Sequence, residues 1–135
     1  MIRRLILQPD QRDEMLRHVA AHAPLEACGL LAGKEDKVER VLFVRNQAQS
    51  PTRFVMDPYE QLQAFEWMDT HALDLVGIFH SHPAGPETVS ETDIREAAYE
   101  VVHLIWSRSE GSWRMRGFWI EEGQVSEVAL SVGDQ

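Results

Sequence analysis

The sequence predicts a mixed α+β fold or αβα sandwich of six or seven strands and three helices, in the order β-α-β-β-α-β-α-β-β-β. Three observations lead there. Short apolar and β-branched runs, bounded by Gly, Pro, Asn and Asp, outnumber stretches of helical period. Successive strands are joined more often by tight turns than by crossovers, which argues against a doubly wound parallel sheet. The chain has 135 residues, 44% of them hydrophobic, which suits one domain, residues 1–135, with an ordinary core.

The elements follow in order. Ile2 to Leu7 is short and apolar, a first strand. Pro9-Asp10 opens a helix in which Met15, Leu16, Val19, Ala20 and Ala23 recur at helical spacing, and Pro24 closes it. Ala27 to Gly33 and Val38 to Arg45 are two strands joined by a polar tip, Gly33 to Lys37. NQAQSPTR is a loop. Asp57-Pro58-Tyr59-Glu60 then has a cap, a proline at the first helical position and an acid in the first turn, so a helix runs to about His71 with Leu62, Phe65 and Met68 inward. Leu73 to Phe79 is a core strand leading directly into His80-Ser81-His82-Pro83, and Pro83, Gly85 and Pro86 end regular structure. Ser90 to about Glu100 is a third helix, Val101 to Trp106 a buried strand, and Trp113 to Ile120 with Gln124 to Val132 a hairpin about Glu122-Gly123. No repeat, low-complexity tract or linker interrupts them.

Charge and cysteine content exclude several functions. Thirteen Lys and Arg stand against 22 Asp and Glu, a formal charge of −9, and that field repels nucleic acid and anionic membrane surfaces. With Cys28 alone, no internal disulfide forms and a reducing compartment is expected. The first fifteen residues turn polar too quickly for a signal peptide, and no apolar run has the ~18 residues of a spanning helix, so the expected location is the cytoplasm.

One cluster carries chemistry. In HSHPAGPETVSETD, His80 and His82 share a face of a strand because side chains alternate with period two. Asp93 follows a proline-braced loop and brings a carboxylate from the next helix toward the same point. Two imidazoles, one carboxylate and an open position make the donor set of a catalytic zinc site, whereas structural sites are closed by four ligands and mostly by thiolates. Each half has a plainer reading: His-x-His is common by chance, and Ser90 to Asp93 is a capping box. Their union favours the metal. His18 and His22, four apart on the first helix, lack a third ligand and read as solvent-facing; His71 ends a helix, His103 packs inside a strand, and Cys28 is a small core residue.

Together, Glu26 in EACGLLAG and His80-Ser81-His82-Pro83, Pro86, Ser90 and Asp93 resemble the JAMM (MPN+) metalloprotease signature, with every motif position filled. The likeness runs along almost the whole chain and is greatest to the small prokaryotic members. The resemblance implies a central mixed sheet flanked by helices, one zinc per chain held by His80, His82 and Asp93, Glu26 as general base, and Ser90 as a donor to the oxyanion. It implies hydrolysis of an amide bond after the C-terminal Gly-Gly of a ubiquitin-like or sulfur-carrier protein. The alternatives are a general hydrolase of small peptides with the same site, and a zinc-bearing scaffold or binding module, which has no reason to keep Glu26 and Ser90 together.

Overall fold

A computed structural model describes residues 1–133. Its elements are β1 (Arg4–Leu7), α1 (Pro9–His22), β2 (Cys28–Lys34), β3 (Lys37–Val44), α2 (Pro58–Thr70), β4 (Asp74–His82), α3 (Glu91–Arg95), β5 (Val102–Ser109), β6 (Ser112–Glu121) and β7 (Gln124–Val132). The order of types is the expected one. The sheet is mixed, in the order β1-β3-β2-β4-β5-β6-β7. β1 pairs in parallel with β7 over four residues and with β3 through the single pair Ile6↔Lys37, which closes the sheet into a barrel that the sequence pattern did not suggest.

Helices pack on both faces. Met15 and Val19 of α1 join Leu5, Leu7, Leu31, Phe79, Leu104 and Trp119 in one core cluster, while Ala64 and Met68 of α2 join Leu30, Ala32, Val44 and Ile78 in another. Adjacent residues of β2, Leu30 and Leu31, belong to opposite clusters, as alternation requires of a strand buried on both sides. The second helix begins as its sequence predicts, with Asp57 accepting from the Tyr59 and Glu60 amides at 2.9 and 3.1 Å.

Four details differ from the sequence reading. Leu62 is not inward but 57% exposed, because Ala64 and Met68 define the buried stripe and a residue two positions from Ala64 lies on another face. The third helix stops at Arg95 rather than near Glu100: none of its residues is buried, so no apolar stripe supports further turns. β4 continues through His82, which places both histidines inside the ladder. β5 continues to Ser109 and turns into β6 at Glu110-Gly111, where both residues have positive φ, as they do at the expected Glu122-Gly123 turn.

β2 crosses the centre of the sheet between β3 and β4, and at Gly29 the neighbours leave no room. A Cβ there would overlap the Phe79 ring and lie 2.6 Å from the Leu42 carbonyl oxygen. Gly29→Ala is therefore expected to lower the unfolding free energy by about 1–3 kcal/mol, the range for overpacking. A shift of the urea midpoint checks it, and an unchanged midpoint would mean that Phe79 repacks freely.

Candidate metal centre

His80 and His82 leave β4 on the same face as Ile78, toward the loop before α2 and the start of α3. His80 is fully buried, and its ring stacks on Phe54 with centroids 4.4 Å apart. His82 Nδ1 lies 2.9 Å from the Pro86 carbonyl oxygen. A carbonyl only accepts, so this nitrogen carries the proton and Nε2 presents a lone pair, the arrangement that fixes a metal-ligating imidazole. The two Nε2 atoms stand 3.0 Å apart. Lone pairs that close repel unless a proton or a cation lies between them.

Asp93 supplies the opposing charge. Its Oδ2 is 3.2 Å from each Nε2 and also accepts the Ser90 N–H at 2.8 Å, while Ser90 Oγ accepts the Asp93 N–H at 3.0 Å. The capping box and the contacts to both histidines thus share Asp93 Oδ2. Burial would raise the Asp93 pKa, but the His80 and His82 imidazoles beside it and the hydrogen bond from the Ser90 N–H hold it far below the carboxylate range. Burial lowers His80 despite Asp93, whereas at His82 burial is outweighed by Asp93 and the Pro86 carbonyl, and its pKa rises.

Glu26 completes the group. Only 4% exposed, it has a carboxylate oxygen within 4.8 Å of the histidine nitrogens, and Oε1 has no hydrogen-bond partner. Burial pushes its pKa up to about 8, with His82 pulling it down and Asp93 adding to the rise. Its main chain is pinned on both sides: the Glu26 N–H donates to the Ser50 carbonyl at 2.8 Å, and its carbonyl accepts from Asn46 Nδ2 at 3.0 Å. One residue on, Ala27 N–H donates to Ser81 Oγ at 2.8 Å and Ser81 N–H to the Ala27 carbonyl at 3.0 Å, tying this segment to β4 between the two histidines.

All five residues singled out from the sequence, Glu26, His80, His82, Ser90 and Asp93, meet here. His80 Nε2, His82 Nε2 and Asp93 Oδ2 stand 3.0–3.2 Å apart, and Glu26, His80 and His82 offer donor atoms that all lie within 4.8 Å of one another, a group that could hold a metal ion. The positioning residues Asn46 and Ser81 were not foreseen. Asn46 lay in a stretch read only as loop, yet its amide bonds Glu26, Ala48, Arg53 and Val55. His103 and Cys28 are buried as expected, with burial raising the Cys28 thiol to about 12. His22 is exposed as expected, but His18 is half-buried and stacked on Phe43 at 4.2 Å.

Two cavities flank the cluster and share no residue. One, of about 440 Å³, is lined by Glu26, His18, His22 and the β3 end from Phe43 to Asn46; the other, of about 250 Å³, is lined by His80, Asp93, Phe54, Tyr99 and His103 among others.

Known proteins share this arrangement of chain. Residues 8–119 match the family of prokaryotic homologs of the JAB domain. A probable TtuB-protein conjugate cleaving protease of Thermus thermophilus is 40% identical over 121 residues, 89% of this chain and 77% of the relative. The desampylase of Pyrococcus furiosus is 38% identical over 116 residues, 84% and 81% of the two chains. The CysO-cysteine peptidase of Mycobacterium tuberculosis is 33% identical over 135 residues, 97% and 92%. Among solved structures, a Desulfitobacterium hafniense protein superposes with a TM-score of 0.87 at 37% identity, covering 97% of this chain and 94% of that one. A JAB1/MPN domain protein of Archaeoglobus fulgidus, at 22% identity and a TM-score of 0.60 over 96% of this chain and 100% of that one, shares the fold. The chain belongs to the prokaryotic JAB-domain family.

Proposed function

We propose that the chain is a zinc peptidase or isopeptidase that hydrolyses the amide bond after the C-terminal Gly-Gly of a ubiquitin-like or sulfur-carrier protein. One observation carries the reading: His80 Nε2, His82 Nε2 and Asp93 Oδ2 lie within 3.2 Å of one another beside Glu26, a buried carboxylate with an oxygen that has no partner. Zinc, when bound, supplies a Lewis acid that makes hydroxide available near pH ~7. His80, His82 and Asp93 would hold it.

The remaining work belongs to the chain. Glu26 takes the proton of the attacking water on the oxygen that lacks a partner and returns it to the leaving nitrogen, base first and acid second. A buried carboxylate with an unpartnered oxygen is placed for both transfers. The clamp on its main chain through Asn46, Ser50 and Ser81 keeps that oxygen on the cluster. Ser90 Oγ accepts from Asp93 N–H, which leaves its hydroxyl hydrogen free to donate to the carbonyl oxygen as negative charge develops. The names of the relatives, a TtuB-conjugate cleaving protease and a CysO-cysteine peptidase among them, support a carrier protein as substrate. Gly-Gly suits the approach because residues without Cβ come closest to a buried cluster.

Elemental analysis should find one zinc per chain, and His82→Ala and Asp93→Ala should each lose most of it with the fold intact; full occupancy in both would refute the ligand set. Glu26→Gln should keep its zinc and lose turnover by ~100-fold or more, and Ser90→Ala should lose ~10 to 1,000-fold, both read as kcat on one substrate. A carrier extended by one cysteine past Gly-Gly should be cleaved faster than a twin with Ala as its last residue, followed by mass. Equal rates on both, or cleavage of unrelated short peptides alone, would instead point to a general peptidase.

A further inference from the structure

Asn46 lies just beyond β3, half-buried, and its side-chain amide has every hydrogen-bonding position filled. Nδ2 donates to the Glu26 carbonyl at 3.0 Å and to the Arg53 carbonyl at 3.1 Å, while Oδ1 accepts the Ala48 N–H at 3.0 Å and the Val55 N–H at 2.9 Å. Two donors and two acceptor positions are all that an amide has. These four bonds also fix its orientation, because a flipped amide would set oxygen against two carbonyls and nitrogen against two N–H groups.

The partners do two jobs. Bonds from an asparagine to main-chain groups of its own loop shape that loop, and those to Ala48 and Val55 are of this kind. Loop shape alone does not call for the bond to Glu26, which lies 20 positions back in the chain. Arg53 and Val55 stand on either side of Phe54, so the same amide holds both peptides flanking the ring that stacks on His80 with centroids 4.4 Å apart. Asn46 lines the cavity of about 440 Å³ that takes in Glu26, and Phe54 lines the one of about 250 Å³ that takes in His80. One side chain therefore ties the main chain of the base to the support of a histidine across the two cavities.

The Glu26 side chain depends on that tie. Its Oε1 has no hydrogen-bond partner among the described residues, so the place of the carboxylate follows from its main chain. Misplacing a reacting group by about 1 Å costs on the order of 100-fold in rate. Arg53 extends the connection, since its guanidinium pairs at 2.9 Å with Glu96, the residue after the helix that carries Asp93. Resting on the peptidase reading above, we infer that Asn46 is a positioning residue whose amide sets the separation between Glu26 and the histidine pair, by holding the Glu26 carbonyl and, through Phe54, the His80 ring.

The test uses the full zinc-loaded chain and a carrier protein extended by cysteine past Gly-Gly. Asn46→Asp keeps an acceptor for Ala48 and Val55 and removes both donors; Asn46→Ser removes the amide without adding a charge. Each should lower kcat by about 10- to 100-fold while KM stays within about 3-fold of wild type. In a Glu26→Gln background the same substitutions should change the residual kcat by less than about 2-fold, because a residue that acts through Glu26 then has nothing left to position. A second readout needs no turnover: zinc should pass to a chelator about 10-fold faster from either Asn46 variant and from Phe54→Leu, and no faster from the double variant, as groups that orient a metal ligand act. Phe54→Leu keeps the proposal open to refutation if neither Asn46 variant folds. An unchanged kcat in a folded Asn46 variant, a loss that multiplies with that of Glu26→Gln, or zinc release at the wild-type rate from Phe54→Leu would overturn the positioning role while leaving the peptidase reading intact. Failure of the wild-type enzyme to cleave the carrier would remove the peptidase reading, and the zinc-release measurements would still read the hold on His80.

Discussion

The site depends on one oxygen atom. Asp93 Oδ2 receives the Ser90 amide hydrogen and faces both imidazole nitrogens, so a single carboxylate oxygen starts a helix and draws two histidines together. α3 has only five residues and buries none of them, so its place is held by this cap rather than by packing. The usual opposition between a structural and a functional reading of a capping box dissolves here. The cap aims the carboxylate, and the aimed carboxylate is what β4 meets at its end.

Glu26 is arranged on the opposite principle. Asp93 accepts the Ser90 amide hydrogen beside two imidazoles and is held charged, while Glu26 has an oxygen left without any partner, in a place from which water is largely excluded. Two carboxylates a few ångströms from the same histidines thereby differ widely in proton affinity. The difference comes from burial without a partner at Glu26; Asn46, Ser50 and Ser81 fix the backbone on either side of it.

Much of this was legible in the residues. The period-two spacing of His80 and His82, the Ser90-to-Asp93 cap and the Asp57-Pro58 helix start are local patterns, and each appears in the structure where its spacing placed it. Glu26 was not legible from spacing, being 54 positions from His80, and only the family likeness singled it out. Leu62 was misplaced because two apolar stripes compete on α2 and tertiary packing chose the one through Ala64 and Met68. Barrel closure escaped notice because it rests on four residues of β1, whose partners on β7 lie at the far end of the chain. The Glu110-Gly111 turn was a readable signal, of the same kind as Glu122-Gly123.

That closure has a consequence for the order in which the molecule assembles. β2, β3 and β4 are near neighbours in the chain, and their hairpin and crossover need only local loop closure. β1 must wait. Its pairing of Arg4 with Ala129 spans nearly the full chain, so a ribosome has to release the last strand before the first can find its place. Until then Leu5 and Leu7, both fully buried in the finished protein, are without their β7 partners.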